Sequence, residues 1–387
     1  MAVKTDGLAI PKIFEHLGVH AVVNGRGIYS DLGGSRLSPS VWAAMGDMNQ
    51  YFVSMADLLD ASGKIIARYL GTEAARVTPG AAASIMLMVA GVMTGNDASR
   101  TELLPRTDGL RDEIVLQRNH RYRYDRQITM TGARLVLAGD EQGTTSEQVR
   151  RVLTPRTAAI FVPAHRDGLG NTVLLSQVAA IGREHGVPTV VDAAYLSWPI
   201  ENLTRYPREG ADLVCFSAKY FGGPNAGGFV AGRRDLVASV AHNDFTRYES
   251  GPYLKYGRPL KLDRQTVVAT VLALEEWLAM DHAERWASYA HMVAAMQRRL
   301  SGIPGIRLDA CYFTMDERLV PDPVNSLVVH VEPAVGTTAS AIAARLAAGV
   351  PSVLVNTEPD ALIICVDVLR EGEETIIAER LREVLTH

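Results

Sequence analysis

ADLVCFSAKYFGGPNAGGFVAG, running from Ala211 to Gly232, sets a lysine between two strand-like runs. The apolar, β-prone run Leu213 to Phe216 ends in Ser217-Ala218-Lys219. The chain then crosses Gly222-Gly223-Pro224 and Gly227-Gly228 before a second apolar run opens at Phe229. Glycines here permit positive-φ turns or a close approach of backbone to a flat ligand. A lysine held in this way is a candidate for a Schiff base with an aldehyde cofactor. The same window also accommodates a surface lysine in a glycine-rich hairpin, so the flanking sequence has to discriminate.

Upstream, strand and helix signals alternate. Strands are expected at Glu113 to Leu116, Arg134 to Leu137, Thr157 to Val162 and Thr189 to Val191, with helices at Thr145 to Val152 and Leu175 to His185. This βα rhythm predicts an open α/β sheet, whose chemistry gathers at the carboxyl ends of the strands. Asp192 falls directly at one such end, and His165 follows another. A carboxylate ending a buried strand is costly unless a cation meets it, and a protonated pyridine nitrogen is one such cation. The alternative is an aspartate that caps the loop Ala193-Ala194-Tyr195. Further back, Ala75 to Thr78 reads as a strand running into Pro79-Gly80-Ala81-Ala82-Ala83-Ser84 and then an apolar helix. Strand, small-residue turn and helix present free amides to an anion, or simply allow close helix packing; the P-loop lysine and the GxGxxG pattern are both missing.

The helix before that, from Ser54 to Leu70, carries apolar residues at helical spacing and stops at Gly71. Ser38-Pro39-Ser40 signals another helix start. Asn24-Gly25-Arg26-Gly27 reads as a loop in which Arg26 is either a ligand contact or an ordinary loop charge. Beyond Gly232 a polar, aromatic segment (Asn243 to Arg264) leads into a long helix from Thr266 to Leu278 that continues beyond Met280 into Ser288 to Leu300. Strands at Ile306 to Leu308, Val324 to Val331 and Ala361 to Val368 then mix with helices at Thr338 to Ala348 and Gly372 to Val384. The expected division is an N-terminal segment 1–50 contributing to the small domain and the active site, a large domain 51–260 and a small α+β domain 261–387.

With 387 residues and 47% of them hydrophobic, the chain can bury a large core. A formal net charge of -4 with no basic block gives nucleic-acid binding little support. Cys215, Cys311 and Cys365 stand singly in mostly apolar surroundings, which suits a reducing compartment and excludes a CxxC metal site. No signal-length apolar run opens the chain, and Ala81 to Met93 is too short for a membrane span, so a cytoplasmic protein is expected.

The order of these features resembles the pyridoxal-phosphate (PLP) enzymes of the aspartate-aminotransferase fold (fold type I). Within them it is similar to the branch that holds bacterial selenocysteine synthase and D-glucosaminate-6-phosphate ammonia-lyase. VVNGRGIYSDLGG, DLLDASGKIIARYLG, LTPRTAAIFVPAH, GVPTVVDAAYLSWP and the Lys219 segment carry the likeness. It implies a large α/β/α domain with a mainly parallel sheet plus a small α+β C-terminal domain. It also implies PLP as cofactor, with Lys219 as the Schiff-base lysine and Asp192 as the pyridinium partner. Gly80, Ala81 and Ala82 become phosphate-loop amides, with Ser217 a further phosphate ligand. His120 falls over the ring, His165 near its O3 side, and Arg258 near phosphate or substrate.

The branch has Ser-Gly-x-Lys where this chain has Ser217-Ala218-Lys219. It has VDVR where this chain reads Val366-Asp367-Val368-Leu369-Arg370, so the substrate carboxylate passes to Arg26, Arg258 or Arg370. No basic N-terminal domain for transfer RNA is evident. The implied activity is a lyase working on an amino acid: Lys219 abstracts the α-proton, and β-elimination releases ammonia and a 2-oxo acid. Transamination, racemisation and a catalytically silent scaffold are the alternatives. A homodimer or higher homo-oligomer is the implied assembly.

Overall fold

A computed structural model of the chain describes residues 3–5 and 8–386. They form two compact units, residues 36–279 and a second built from residues 1–35 with 280–387. The expected boundaries near residues 50 and 260 therefore shift. Helix α1 (Pro39–Asn49), capped by Ser38 through Val41 N at 3.2 Å, packs on the late helix α4 (Arg264–Ala279). That contact draws both helices into the larger unit.

The larger unit is built on a seven-stranded sheet. Its strands are β1 (Ala74–Thr78), β2 (Glu113–Gln117), β3 (Arg134–Ala138), β4 (Thr157–Pro163), β5 (Thr189–Asp192), β6 (Leu213–Ser217) and β7 (Gly228–Gly232). Their order across the sheet is β1-β7-β6-β5-β4-β2-β3. Pairings from β6 to β3 are parallel, and only β7 runs antiparallel to both of its neighbours.

Both faces of this sheet are buried, which explains why its strands read as continuous apolar runs and not as alternating ones. Val115, Ile160, Val214 and Phe216 point into one core, shared with α2 (Met55–Leu70), α4 and the helix Leu175–His185. Ile114, Phe161, Leu213 and Cys215 point into the other, filled by α3 (Gly80–Thr94). Since α3 is apolar on nearly every side, it is buried along almost its whole length.

The second unit holds a six-stranded sheet in the order Leu319–Val320, Ile306–Phe313, Ser326–Val331, Ala361–Cys365, Ser352–Glu358, Val22–Gly25. Val22–Gly25 is a strand, where the sequence reads as a loop, because it pairs in parallel with the distant Ser352–Glu358. The last expected strand is shorter than Ala361 to Val368: it ends at Cys365, and Leu369 N turns back to Val366 O at 3.0 Å. The helical run expected to continue past Met280 restarts at His282, because Asp281 caps a new helix through Ala283 N at 2.9 Å and Glu284 N at 3.0 Å.

Two glycines on neighbouring helices should respond oppositely to the same substitution. A Cβ at Gly63 of α2 would lie 2.0 Å from the Ala75 carbonyl of β1, whereas one at Gly46 of α1 meets nothing within 4 Å. Alanine is intrinsically favoured over glycine in a helix by about 1 kcal/mol. Gly46→Ala should therefore raise the urea midpoint slightly. Gly63→Ala should lower it by an amount corresponding to roughly 1–3 kcal/mol, because overpacking outweighs the propensity gain.

Candidate active site

The carboxyl ends of parallel strands β2, β4, β5 and β6 meet along one edge of the sheet. Register fixes two lines across it. Pro163 of β4, Asp192 of β5 and Cys215 of β6 are level with one another. Two residues further along β6, Ser217 is level with Gly228 of β7, and Gly228 is level with Thr78 of β1, which leads into α3. Strand alternation puts Asp192, Cys215 and Ser217 on the α3 face. Gly228 has to be a glycine for this arrangement, since a Cβ there would approach Phe216 O to 2.7 Å and Gly80 Cα to 2.8 Å.

Asp192 is 4% exposed and hydrogen-bonded by neutral donors. Tyr122 Oη donates to Oδ2 at 2.5 Å, while Ala194 N and Cys215 Sγ donate to Oδ1 at 3.0 and 3.7 Å. Burial raises the Asp192 pKa above the usual carboxylate range, against the lowering effect of those three donors. Burial, reinforced by the carboxylate, also drives the Tyr122 phenol and the Cys215 thiol up, so both stay protonated as donors.

Lys219 sits in the short turn Ala218–Phe221 that follows β6. Gly222 closes the turn at φ +77°, and Ala218 is tied at both ends, its N to Gly227 O at 2.9 Å and its O to Gly223 N at 2.8 Å. The half-buried Lys219 Nζ lies 4.9 Å from the Tyr220 ring centroid. A row of rings then leads back to the carboxylate: Tyr220 to Tyr195 at 6.0 Å, Tyr195 to His165 at 5.6 Å, and His165 to Tyr122 at 5.2 Å. Asp192, His165 and Lys219 are thus brought into one continuous cluster.

His120, expected over a cofactor ring, has no exposed surface; its Nδ1 lies 3.5 Å from Gln117 Nε2. Burial pushes its pKa down to about 4, aided by Arg166 and His165 and opposed by the Arg166 main chain, so it is neutral near pH 7. The aromatic side chain that reaches Asp192 is instead Tyr122, which the sequence reading passed over. Its signal was present in the run of four aromatic and basic residues Arg121 to Tyr124, but nothing local distinguishes which ring turns inward.

At the other end of the edge, α3 begins at Gly80 with φ +75° and no side-chain cap from Pro79. Ser84 Oγ is bonded to Gly80 O at 2.9 Å and Thr78 Oγ1 at 2.6 Å; the first amides of a helix have no partner within it, and Pro79 gives those of α3 no side-chain cap. Ser217 is buried nearby in register.

Of the three arginines, Arg258 belongs to the larger unit and Arg26 and Arg370 to the second. Arg258 pairs with Glu249 at 2.7 Å and stacks over Tyr248. Arg26 belongs to the second unit, where it bonds Asn356 and covers Tyr29; Arg370, exposed in the same unit, donates its backbone N to Glu373 at 2.8 Å. The strand before Arg370 ends at Cys365, so Arg370 lies outside it.

A buried carboxylate with a raised pKa, whose donors among the described residues are neutral, fits a cationic N–H, and a helix start without a side-chain cap in register with a buried serine fits a phosphate. Together with a lysine on the same edge, these are groups that can hold PLP. The fold and the site define a PLP-dependent enzyme of fold type I. A family model described as L-seryl-tRNA selenium transferase (SelA) matches residues 57–250. The chain is 32% identical to 5'-C-glycyluridine monooxygenase-decarboxylase of Streptomyces sp over 96% of this chain and 92% of that one. It is 26% identical to D-glucosaminate-6-phosphate ammonia lyase of Salmonella typhimurium over 97% and 99%. The solved structure of a D-glucosaminate-6-phosphate ammonia-lyase superposes with a TM-score of 0.84 at 25% identity, covering 97% of this chain and 99% of that one. The chain belongs to the SelA family.

Borohydride fixes a cofactor aldehyde irreversibly to the amine that holds it. The expected result is a reduced adduct, found by mass spectrometry, on the wild-type peptide containing Lys219 and none on Lys219→Ala.

Proposed function

We propose that the protein is a PLP-dependent lyase acting on an α-amino acid with a hydroxyl on its β-carbon and a sugar-derived tail, releasing ammonia and a 2-oxo acid. The observation that carries this reading is the placement of Lys219 and Asp192 at the ends of adjacent parallel strands, joined by a row of aromatic rings. The names of the relatives supply the substrate class. A seryl group, a glucosaminate and a glycyl group joined through carbon to C5' of uridine share an amine one carbon away from a hydroxyl-bearing carbon.

When bound, PLP supplies an electron-withdrawing ring that stabilises negative charge at the substrate α-carbon. In this reading Lys219 Nζ would hold the cofactor and would take the substrate's α-proton. Asp192 keeps a proton on the ring nitrogen. The first amides of α3, at Gly80, Ala81 and Ala82, hold the phosphate with Ser217. His165, half-buried between Tyr122 and Tyr195, donates a proton to the leaving hydroxyl. Arg26, Arg258 and Arg370 are the candidates for the substrate carboxylate, and the one that binds it should raise KM when replaced by alanine.

A second reading, oxidative decarboxylation, is favoured by the 32% identity to the monooxygenase-decarboxylase. One assay separates the alternatives. With PLP-loaded protein and a panel of β-hydroxy-α-amino acids, elimination should give equimolar ammonia and 2-oxo acid without an amino acceptor. Strict dependence on a 2-oxo acid acceptor would replace the lyase with an aminotransferase, an inverted enantiomer with a racemase, and oxygen uptake with carbon dioxide release with the oxidative reaction.

The assembly in this reading is a cytoplasmic homodimer. The free thiols of Cys215, Cys311 and Cys365 support a reducing compartment. Trp42, Tyr51 and Phe52 are 66%, 68% and 94% exposed on α1 and the segment after it, an apolar surface suited to a second copy. Light scattering should give a dimer mass for the wild type and a monomer mass for Phe52→Glu.

A further inference from the structure

We infer that Tyr122 is a positioning residue for the cofactor: its phenol orients the Asp192 carboxylate so that one acceptor position is left for the ring N–H. An ionised carboxylate offers about four lone-pair sites. Oδ1 already accepts from Ala194 N and Cys215 Sγ, and Oδ2 from Tyr122 Oη at 2.5 Å. One site on Oδ2 remains, and its direction is set by where the phenol stands.

The phenol is itself held firmly. Its ring stacks on Phe161 of β4, with centroids 6.5 Å apart and planes 25° apart, and tilts against His165 at 5.2 Å. Phe161 is fully buried in the sheet core. Tyr122 therefore transmits the position of a core strand to a carboxylate on the next strand. A bond from a hydroxyl to an ionised acceptor is short and strong, so a ring fixed in this way fixes the carboxylate as well.

The inference rests on Asp192 as the partner of the ring nitrogen but not on the elimination reading, and its test involves no turnover. Tyr122→Phe keeps the ring and removes only the donor. Apoprotein is titrated with PLP by fluorescence, and the bound cofactor, labelled with nitrogen-15 in the ring, is observed by NMR. Tyr122→Phe should bind PLP roughly tenfold more weakly, the size expected for one bond to a charged acceptor. Its ring-nitrogen resonance should move toward that of the unprotonated ring. In an Asp192→Asn background the same change should have no further effect on either readout, since Tyr122 acts through the carboxylate. Unchanged affinity and resonance in Tyr122→Phe would overturn the inference, as would a full effect in the Asp192→Asn background. Tighter binding would overturn it too, by making the phenol an occupant of the ring's place. An unchanged resonance in Asp192→Asn alone would remove the Asp192 assignment and this inference with it.

Discussion

A carboxylate at the end of a doubly covered parallel strand is the constraint on which the site depends. Helices lie on both faces of the sheet, so water cannot solvate Asp192, and desolvating an isolated carboxylate costs several kcal/mol. The fold answers with donors from three places: the phenol of Tyr122 after β2, the amide of Ala194 after β5 and the thiol of Cys215 on β6. All three are neutral. They orient the carboxylate without neutralising it, and burial still keeps its pKa above the ordinary range. Its hydrogen-bond donors among the described residues carry no charge, and in the proposed function a protonated ring nitrogen would be the cation that meets it.

The same sheet fixes by register the other groups proposed to hold the cofactor. Asp192 is level with Cys215, while Ser217 and the start of α3 are level two residues further along β6. At a rise of about 3.3 Å per residue, the two lines lie roughly 7 Å apart along the strand. Groups for a ring nitrogen and for a phosphate are therefore separated by backbone geometry and not by flexible side chains. The antiparallel β7, which lies between β1 and β6, makes this work, because Gly228 lets the start of α3 come close where a Cβ would meet Gly80 Cα at 2.8 Å and Phe216 O at 2.7 Å.

Local chemistry made much of this legible in the sequence. Ser38-Pro39 and Ser54 announce their helices because a cap is a contact between near neighbours, and Leu175–His185 begins and ends where its apolar periodicity says. Lys219 and Asp192 stood out because each follows an apolar run that can only be a buried strand. The illegible parts are non-local. Val22–Gly25 contains Asn24-Gly25 and looks like a loop until Ser352–Glu358 arrives beside it. Tyr122 could not be told from Tyr124, since which ring turns inward depends on Phe161 and Asp192, residues distant in the chain. His120, just before that run, was the more conspicuous residue, and the turn Arg118–His120 buries it.

The short Ser217-Ala218-Lys219 spacing finds its physical account in strand alternation. Leu213 and Cys215 face α3 while Val214, Phe216 and Ala218 face the opposite core, so Ser217 falls on the α3 side as the last residue of β6. Its place is fixed by pairing with Gly228 and does not depend on how many residues follow. The lysine is what the spacing moves: it falls at the second position of the turn Ala218–Phe221, whose closure is taken up by Gly222 in the left-handed region. The shorter spacing between serine and lysine therefore leaves Ser217 in register with Gly228 and changes only how far into the turn the lysine falls.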